Sequence, residues 1–416
     1  MPRDLEGGCD MESSLFDIFG DALGQIPAEP QLINNYKDVK EIEIIRNERE
    51  KSLSPFAMRT KNSRGRRFDD EPCTIRSPYE RDLGRIIFSQ SFRRLRHKTQ
   101  VFFNPNNDHI CSRIEHVIYV NYISTIIGRA LNLNIDLIQA IALGHDIGHS
   151  PYGHTGERVL NSCIKKVDPG LYFEHEVHSL RVLDILEEHR PGEHGLNLTF
   201  EVRDGIVSHC GETYDEYKLT PYREKTEQEI SDKPEKDRTR PCTLEGCVVR
   251  FADKIAYVGR DIEDARRAGI IGGNELVSSE AARRLGSTNA EIINILVWDI
   301  VHNSLNKDEI CMSKENFEAM NEYLNSNLNN IYKAPKIVTY ENNIKLQLEA
   351  IFDAFMECVD DIEKSAHSEN EAIRSFAKFY MKHPEPDCPP VRKVVDYIAG
   401  MTDTYANACF DELYRV

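Results

Sequence analysis

The sequence predicts an all-α, mainly helical protein, and three stretches carry that expectation. Across residues 113–131, Ile114, Val117, Ile118, Ile123, Ile126, Ile127, Ala130 and Leu131 recur at helical spacing. LIQAIALGHD, residues 137–146, is apolar on nearly every side, which marks a helix at the centre of a core rather than on its surface. Between residues 77 and 95, Leu83, Ile86, Ile87, Phe88, Phe92 and Leu95 follow the same period, leaving the arginines of that stretch to the other faces. At 416 residues the chain has the length of one large domain, or of a domain with an accessory lobe.

Taken in order, residues 1–40 mix Gly, Pro, Asn and acidic side chains without sustained periodicity and are expected to form a loosely ordered arm. Residues 39–52 are charged and helix-prone, and SLSPFAMRTKNSRGRR then reads as a basic extended loop broken by Pro, Ser, Asn and Gly. Ser77 followed by Pro78 is a helix start, an N-cap with proline in the first turn. HKTQVFFNPNNDH predicts a β-like run and a turn, after which the 113–131 helix carries His116 in its first turn. Asn134 is placed to cap the next helix, which Gly148 and Pro151 stop just beyond His145 and Asp146. FEHEVHSLRVLDILEEHR predicts a further helix with His175 and His178 near its start, and LTFEVRDGIVSHCGE a shorter one. Residues 213–241 have almost no apolar content and read as a surface loop. Residues 243–269 read as one long helix, with Asp253, Tyr257 and Asp261 at i, i+4 and i+8, nearly one line. Helical segments continue to the carboxyl end, broken by a polar stretch at 303–309 and by HPEPDCPP.

Composition bounds the function. No apolar run approaches the roughly 18 residues of a membrane span, and MPRDLEGGCDMESS lacks the apolar stretch of a secretory signal, so no membrane partner is expected. Eleven cysteines without a CxxC pair argue against a disulfide scaffold or a cysteine zinc site and for a reducing, cytoplasmic setting. The net charge of −17 argues against a protein that is basic overall. Between Arg59 and Lys98, however, twelve cationic residues face five acidic ones. That segment reads either as a site for a polyphosphate or single-stranded nucleic acid, or as ion-paired helix faces.

The densest chemistry lies in IALGHDIGHSPYGHTGE, residues 141–157, where three histidines, an aspartate and a glutamate follow an apolar lead-in. A lone histidine at a helix start is ordinarily a hydrogen-bonded core residue. An Asp inside an apolar helix must be paired or coordinated, because an isolated buried carboxylate is too costly. His116, His145, Asp146 and Asp253 lie on three predicted helices and could meet only in a tertiary core. Two imidazoles and two carboxylates form a mixed nitrogen and oxygen set suited to Mn, Fe, Co, Ni, Zn or Mg as the divalent ion. Such a site fits hydrolysis, with spare histidines to move protons near neutral pH.

The order His116, His145-Asp146, Asp253 resembles the H…HD…D signature of the HD-domain phosphohydrolases. RDLGRIIFSQSFRRLRHKTQVF, SRIEHV, IALGHDIGHSPYGHTGE, FEHEVHSLRVL, LNLTFEVRDGIVSH, RFADKIAYVGRDIEDA and VVDYIAGMTDTYA are similar, as an ordered set, to segments of the dGTP triphosphohydrolase group of that superfamily. The likeness runs over residues 50–416. It implies an HD-domain helical core at 41–275 and a C-terminal helical region at 276–416 packed on it. It also implies metal-dependent hydrolysis of dGTP or several dNTPs to deoxynucleoside and inorganic triphosphate.

By that resemblance His116, His145, Asp146 and Asp253 hold the metal. His154 and Glu157 match the family's catalytic pair, and His175 a further active-site histidine. His149 is similar to a phosphate-side residue; Arg113, Lys254 and Tyr257 match positions that hold the triphosphate, and Gln100 and Asp261 positions near the deoxyribose. Relatives assemble as homo-oligomers, often hexamers, and some take a dNTP effector. The chain departs from the family at SRIEHVIYV, at Glu176 and His178 where Asn and Gln are more frequent, and at Gly259-Arg260 in place of Asn-His, changes that bear on metal or nucleotide preference. Two other readings use the same residues. Another HD phosphohydrolase, acting on cyclic nucleotides or alarmones, is opposed by the segments outside HD. A nucleotide or single-stranded DNA-binding protein with a vestigial site is opposed by intact His154 and Glu157.

Overall fold

In the computed structural model the described residues are 38–101, 111–190, 192–210, 216–230, 240–271 and 278–415. Most of the amino-terminal arm, the turn at 102–110 and parts of the 213–241 segment lie outside them. The fold is all-α, as the sequence predicts, with two short antiparallel strand pairs, Glu188–Arg190 with Glu193–His194 and Lys218–Leu219 with Ile310–Cys311. Among the described residues no helix is long and apolar enough to cross a membrane.

The first half builds one apolar core. Helix α1 (Asp38–Lys51) precedes α2 (Pro78–Phe88), whose start is the Ser77 cap: Ser77 Oγ accepts from the Glu80 N–H while the Glu80 carboxylate accepts from the Ser77 N–H. The predicted 77–95 helix breaks at Ser89, which caps the short α3 (Gln90–Arg94). Helix α4 (Arg113–Ala130) packs against α5 (Ile135–Gly144), which is capped by Asn134 and in turn packs on α2. α6 (Gly153–Val167), α7 (His175–Arg181) and α8 (Phe200–Val207) follow. The predicted helix over 173–190 stops early, because a π turn at Val182–Leu186 leads into the first strand pair. Within 216–230 the chain includes α9 (Glu227–Ile230), and the Lys225 ammonium is buried against Asp204 at 2.6 Å.

The single helix predicted for 243–269 is two. α10 (Leu244–Val258) ends at Gly259, and α11 (Arg260–Arg267) starts directly after it. A Cβ on Gly259 would lie 2.9 Å from the Cα of Asn289, so the break occurs where the chain must pass flush against that residue. Helices α12 (Ser279–Leu285), α13 (Asn289–Ser304) and α14 (Lys314–Asn327) complete the first core, which unites Val120, Ile123, Ile141, Val248, Ile255, Leu296 and Met320. A second core joins α6 to α15 (Pro335–Val359), α17 (Glu371–Lys382), α18 (Pro390–Ala399) and α19 (Asp403–Tyr414), with the short α16 (Ile362–Ala366) between. Leu160, Ile164, Phe352, Phe355, Phe376, Val395 and Ile398 fill it.

The arginine-rich segment is largely committed inside this fold. Arg66 pairs with Asp82 and Asp70, and Arg81 and Arg85 also reach Asp70. Arg59 donates to the carbonyls of Glu50 and Leu53, and Lys98 is buried. Arg93 and Arg96 are exposed.

Candidate active site

A cleft of about 880 Å³ opens between the two cores. Gln100, Arg113, His116, Asp146, His149, His154, Glu157, His175, Asp253, Lys254, Tyr257 and Asp261 all line it, and His145 lies fully buried directly behind. The residues singled out in the sequence are therefore brought to one place, from α4, the α5–α6 turn, α6, α7, α10 and α11.

At the floor, His116 is fixed one turn into α4 by the Ser112–Glu115 capping box, and its Nε2 lies 2.9 Å from Asp253 Oδ1. His145 follows the last residue of α5, and its Nδ1 donates to the Ala142 carbonyl at 2.7 Å. In the neutral imidazole that bond leaves Nε2 with the lone pair. It is buried, meets no donor, and stands 3.6 Å from Asp146 Oδ2 and 3.8 Å from Asp253 Oδ1. A lone pair facing two carboxylates is unfavourable by itself and is satisfied by a cation among them, so the donors present fit a divalent ion. Burial raises the Asp253 carboxyl, but the hydrogen bond and charge of His116 outweigh it and hold the group at about 2. Burial likewise opposes ionisation of Asp146, yet the Arg113 guanidinium beside it keeps it well below the usual carboxylate range. Both groups are thus in the anionic form that ligation requires.

Along one wall, Glu157 joins two histidines. Its Oε2 is 3.0 Å from His154 Nδ1, and its Oε1 is 3.0 Å from His175 Nδ1 and accepts the His175 backbone N–H at 2.8 Å. Against the cost of burial, the carboxylates of Glu176 and Glu157 push His175 well above the usual histidine range, and the two imidazoles in turn hold Glu157 well below its own. His149 stacks on His175 with centroids 4.4 Å apart, and neither of its buried ring nitrogens has a hydrogen-bond partner. Burial, then Arg113 and His175, keep His149 neutral. A neutral imidazole with neither nitrogen committed to a protein partner keeps one donor and one acceptor unspent beside the cleft. His175 Nε2 is 3.8 Å from Asp146 Oδ1, so wall and floor adjoin.

Two placements qualify the roles implied by the resemblance. Arg113 is buried beneath Asp146, with Nη1 2.5 Å from Asp146 Oδ2 and its other nitrogens on the carbonyls of Thr99 and Gln100. Its charge reaches the cleft through Asp146 as well as directly. Asp261 accepts a hydrogen bond from the Tyr332 hydroxyl and is raised to about 7 by burial, so it is no ordinary carboxylate. Gln100 Oε1 is buried without a partner beside the same cleft.

His209 went unnoticed in the sequence. Its Nδ1 is 2.6 Å from the Ile206 carbonyl, its ring lies 4.7 Å from that of His145, and it forms a potential ligand group with His145 and Asp146. Burial, then the neighbouring His145 and His175, depress it to about 4. The available signal was its position at the end of α8, all eight residues of which are buried.

An H…HD…D set on a helical core, with a histidine–carboxylate wall over it, defines an HD-domain phosphohydrolase. The sequence matches the HD domain family over residues 113–258 and the phosphohydrolase-associated domain over 310–412. It is 39% identical over 364 residues to a deoxyguanosinetriphosphate triphosphohydrolase-like protein of Caldanaerobacter subterraneus subsp. tengcongensis, covering 88% of this chain and 93% of that one. Proteins of the same description from Desulfatibacillum aliphaticivorans and Clostridium tetani are 38% and 34% identical, each over 87% of this chain and over 94% and 93% of their own. The chain belongs to the deoxyguanosinetriphosphate triphosphohydrolase-like family of HD-domain proteins.

Proposed function

We propose that this cleft hydrolyses a deoxynucleoside triphosphate, dGTP or several dNTPs, to deoxynucleoside and inorganic triphosphate. The observation that carries the reading is the bare Nε2 of His145 facing Asp146 and Asp253 in the same cleft that the His154–Glu157–His175 chain walls. His116, His145, Asp146 and Asp253 would hold a divalent ion, which when bound supplies Lewis-acid chemistry toward water and phosphoryl oxygen.

The chain's own residues account for the rest. Water adds to the α-phosphorus, the bond from phosphorus to the 5′-oxygen breaks, and a proton must reach that oxygen as the deoxynucleoside leaves. His154 stands at the cleft wall with Glu157 fixing its ring, the arrangement of a general acid. His175, held cationic by Glu157 and Glu176, places positive charge beside the phosphates. Lys254 and Tyr257 lie on α10 beside Asp253, in reach of the remaining phosphoryl oxygens, and Asp261 with Tyr332 forms a polar pair for the sugar.

Product analysis tests this. Each dNTP, alone and in pairs, is incubated with Mn²⁺ or Mg²⁺, and the expected products are nucleoside and triphosphate. Release of dNMP with pyrophosphate, or of orthophosphate, would rule the reaction out.

A further inference from the structure

The VVDYIAGMTDTYA segment lies far from the metal residues in sequence, yet it packs against the back of the turn that carries His149 and His154. Three of its residues each brace that turn. The buried Lys98 Nζ bridges the carbonyls of His149 and Ala399, donating to both. Asp396 lies 3.5 Å from His178 Nε2, and His178 Nδ1 is 2.7 Å from the Gly148 carbonyl. Asp403 makes the most direct connection: its Oδ1 accepts the Tyr152 N–H at 2.9 Å, and its Oδ2 accepts both the N–H of Thr99, at 2.9 Å, and the Thr99 hydroxyl.

Tyr152 is the point of strain. It adopts the left-handed conformation, φ 61 and ψ 25, as the residue before α6, and Gly153 follows at φ 59. A tyrosine resists that conformation because its Cβ crowds the following carbonyl, and it persists only where its surroundings over-determine it. Here Asp403 holds both ends of the residue, the amide through its carboxylate and the hydroxyl through its own carbonyl at 3.1 Å. The turn then passes against the cleft wall: a Cβ on Gly153 would lie 3.1 Å from the Gln100 carbonyl and 3.4 Å from Arg113 Nη2. Thr99, which Asp403 grips on its other side, and the adjoining Gln100 supply the carbonyls that seat the Arg113 guanidinium over Asp146.

We propose that Asp403 is a positioning residue for the hydrolytic site, tying the left-handed Tyr152–Gly153 turn that aims His149 and His154 to the Thr99–Gln100 segment that seats Arg113. It touches neither substrate nor ion. The inference rests on the reading of the cleft as the place of dNTP hydrolysis. It also gives the phosphohydrolase-associated region a task in catalysis beyond packing: it fixes a strained turn from behind. An amide cannot replace the carboxylate, because Asn would present an N–H to one of the donors that Asp403 now accepts.

The test compares wild type, Asp403→Asn and, as a control on the outer end of the same helix, Asp411→Asn, all as full chain. Asp403→Asn should lower kcat by about 10²-fold with KM changed no more than about threefold, the pattern of misplaced catalytic groups in a site that still binds. Bound metal and circular dichroism should match wild type, and backbone amides of residues 148–157 should exchange hydrogen faster. Adding Tyr152→Gly to Asp403→Asn should recover kcat by about tenfold, since glycine takes the left-handed conformation unaided.

A kcat within about twofold of wild type, or losses from the two substitutions that simply multiply, would overturn the proposal. If Asp403→Asn does not fold, Thr99→Val, which removes only the hydroxyl bond, should lower kcat with KM held; an unchanged kcat overturns it equally. Wild-type enzyme that consumes no dNTP would sink the functional reading alone, while hydrogen exchange at residues 148–157 still decides whether Asp403 holds the turn.

Discussion

The floor and the wall of the cleft are built in opposite ways. The floor draws His116 and Asp253 from within α4 and α10, and His145 and Asp146 from the two positions directly after α5, with His145 fully buried and His116 5% exposed. The wall takes His149, His154 and Glu157 from one turn and the start of one helix, and the His154 side chain is 49% exposed. A ligand set has to be rigid, since a small displacement costs coordination, so it is placed where packing fixes rotamers. A proton donor has to meet a substrate that enters and leaves. In the proposed reading His154 is that donor, and it stands beside the cleft at the start of α6.

The largest expected effect tests whether the floor is one unit. His145→Ala removes the bare nitrogen and leaves Asp146 and Asp253 facing each other without it. Bound divalent ion should be lost, with affinity falling by more than the ~100-fold that an outer partner costs. Elemental analysis after dialysis reads this directly, and full metal retention would show that the floor does not bind through His145. Next in size, His154→Ala should retain the metal and lose turnover by ~10²- to 10⁴-fold, the range of general acid–base catalysis. If both substitutions lose metal, the division between floor and wall is wrong.

How much of this was legible in the sequence follows from the same contrast. The floor was legible because an Asp in the apolar helix LIQAIALGHD has no bland explanation, and the helices that carry the other ligands announce themselves by period. The wall was legible as a cluster, since its residues lie within one short stretch. What was not legible depends on where backbones touch. The break at Gly259 falls where the chain passes against Asn289, thirty residues on, and its local sign in RFADKIAYVGRDIEDA is the glycine itself, too weak a signal to end an otherwise periodic helix. The left-handed Tyr152 is equally hidden, because no propensity assigns that conformation to tyrosine and its cause, Asp403, lies 251 residues away. His209 was overlooked because a histidine after a short buried helix looks like an ordinary core residue until its open nitrogen is seen to face His145 and Asp146.

That geometry gives the third expectation. With Nδ1 donating to the Ile206 carbonyl, His209 presents an unprotonated nitrogen to the floor, and His209→Gln removes it while keeping a side chain of similar reach. Metal should be retained ~10- to 100-fold less tightly, as for partners outside the ligand set. A competition titration with a chelator measures it. Loss as complete as in His145→Ala would promote His209 into the floor; no change would leave it a core residue.

The last expectation is read in stability rather than in bound metal or turnover, and concerns Asp261 on α11, the helix after the one that carries Asp253. It is 3% exposed and is raised to about 7, by burial first, with Asp264 adding to the rise and the Tyr332 hydroxyl, His116 and His154 opposing it. A carboxyl whose folded value lies above its unfolded 3.8 binds its proton more tightly in the native state. Its contribution is therefore favourable at low pH and is lost as pH rises from 3.8 to about 7, the reverse of a salt-bridged carboxylate. Asp261→Asn removes that titration. The stability of wild type relative to Asp261→Asn should decline across this window by at most ~4 kcal/mol, read from denaturant midpoints at several pH values. A difference that is flat with pH would mean that Asp261 is ionised throughout and purely an acceptor. The expected slope makes it a donor below about pH 7 and an acceptor above, so that in the proposed reading a sugar hydroxyl bound beside it would be held in either state.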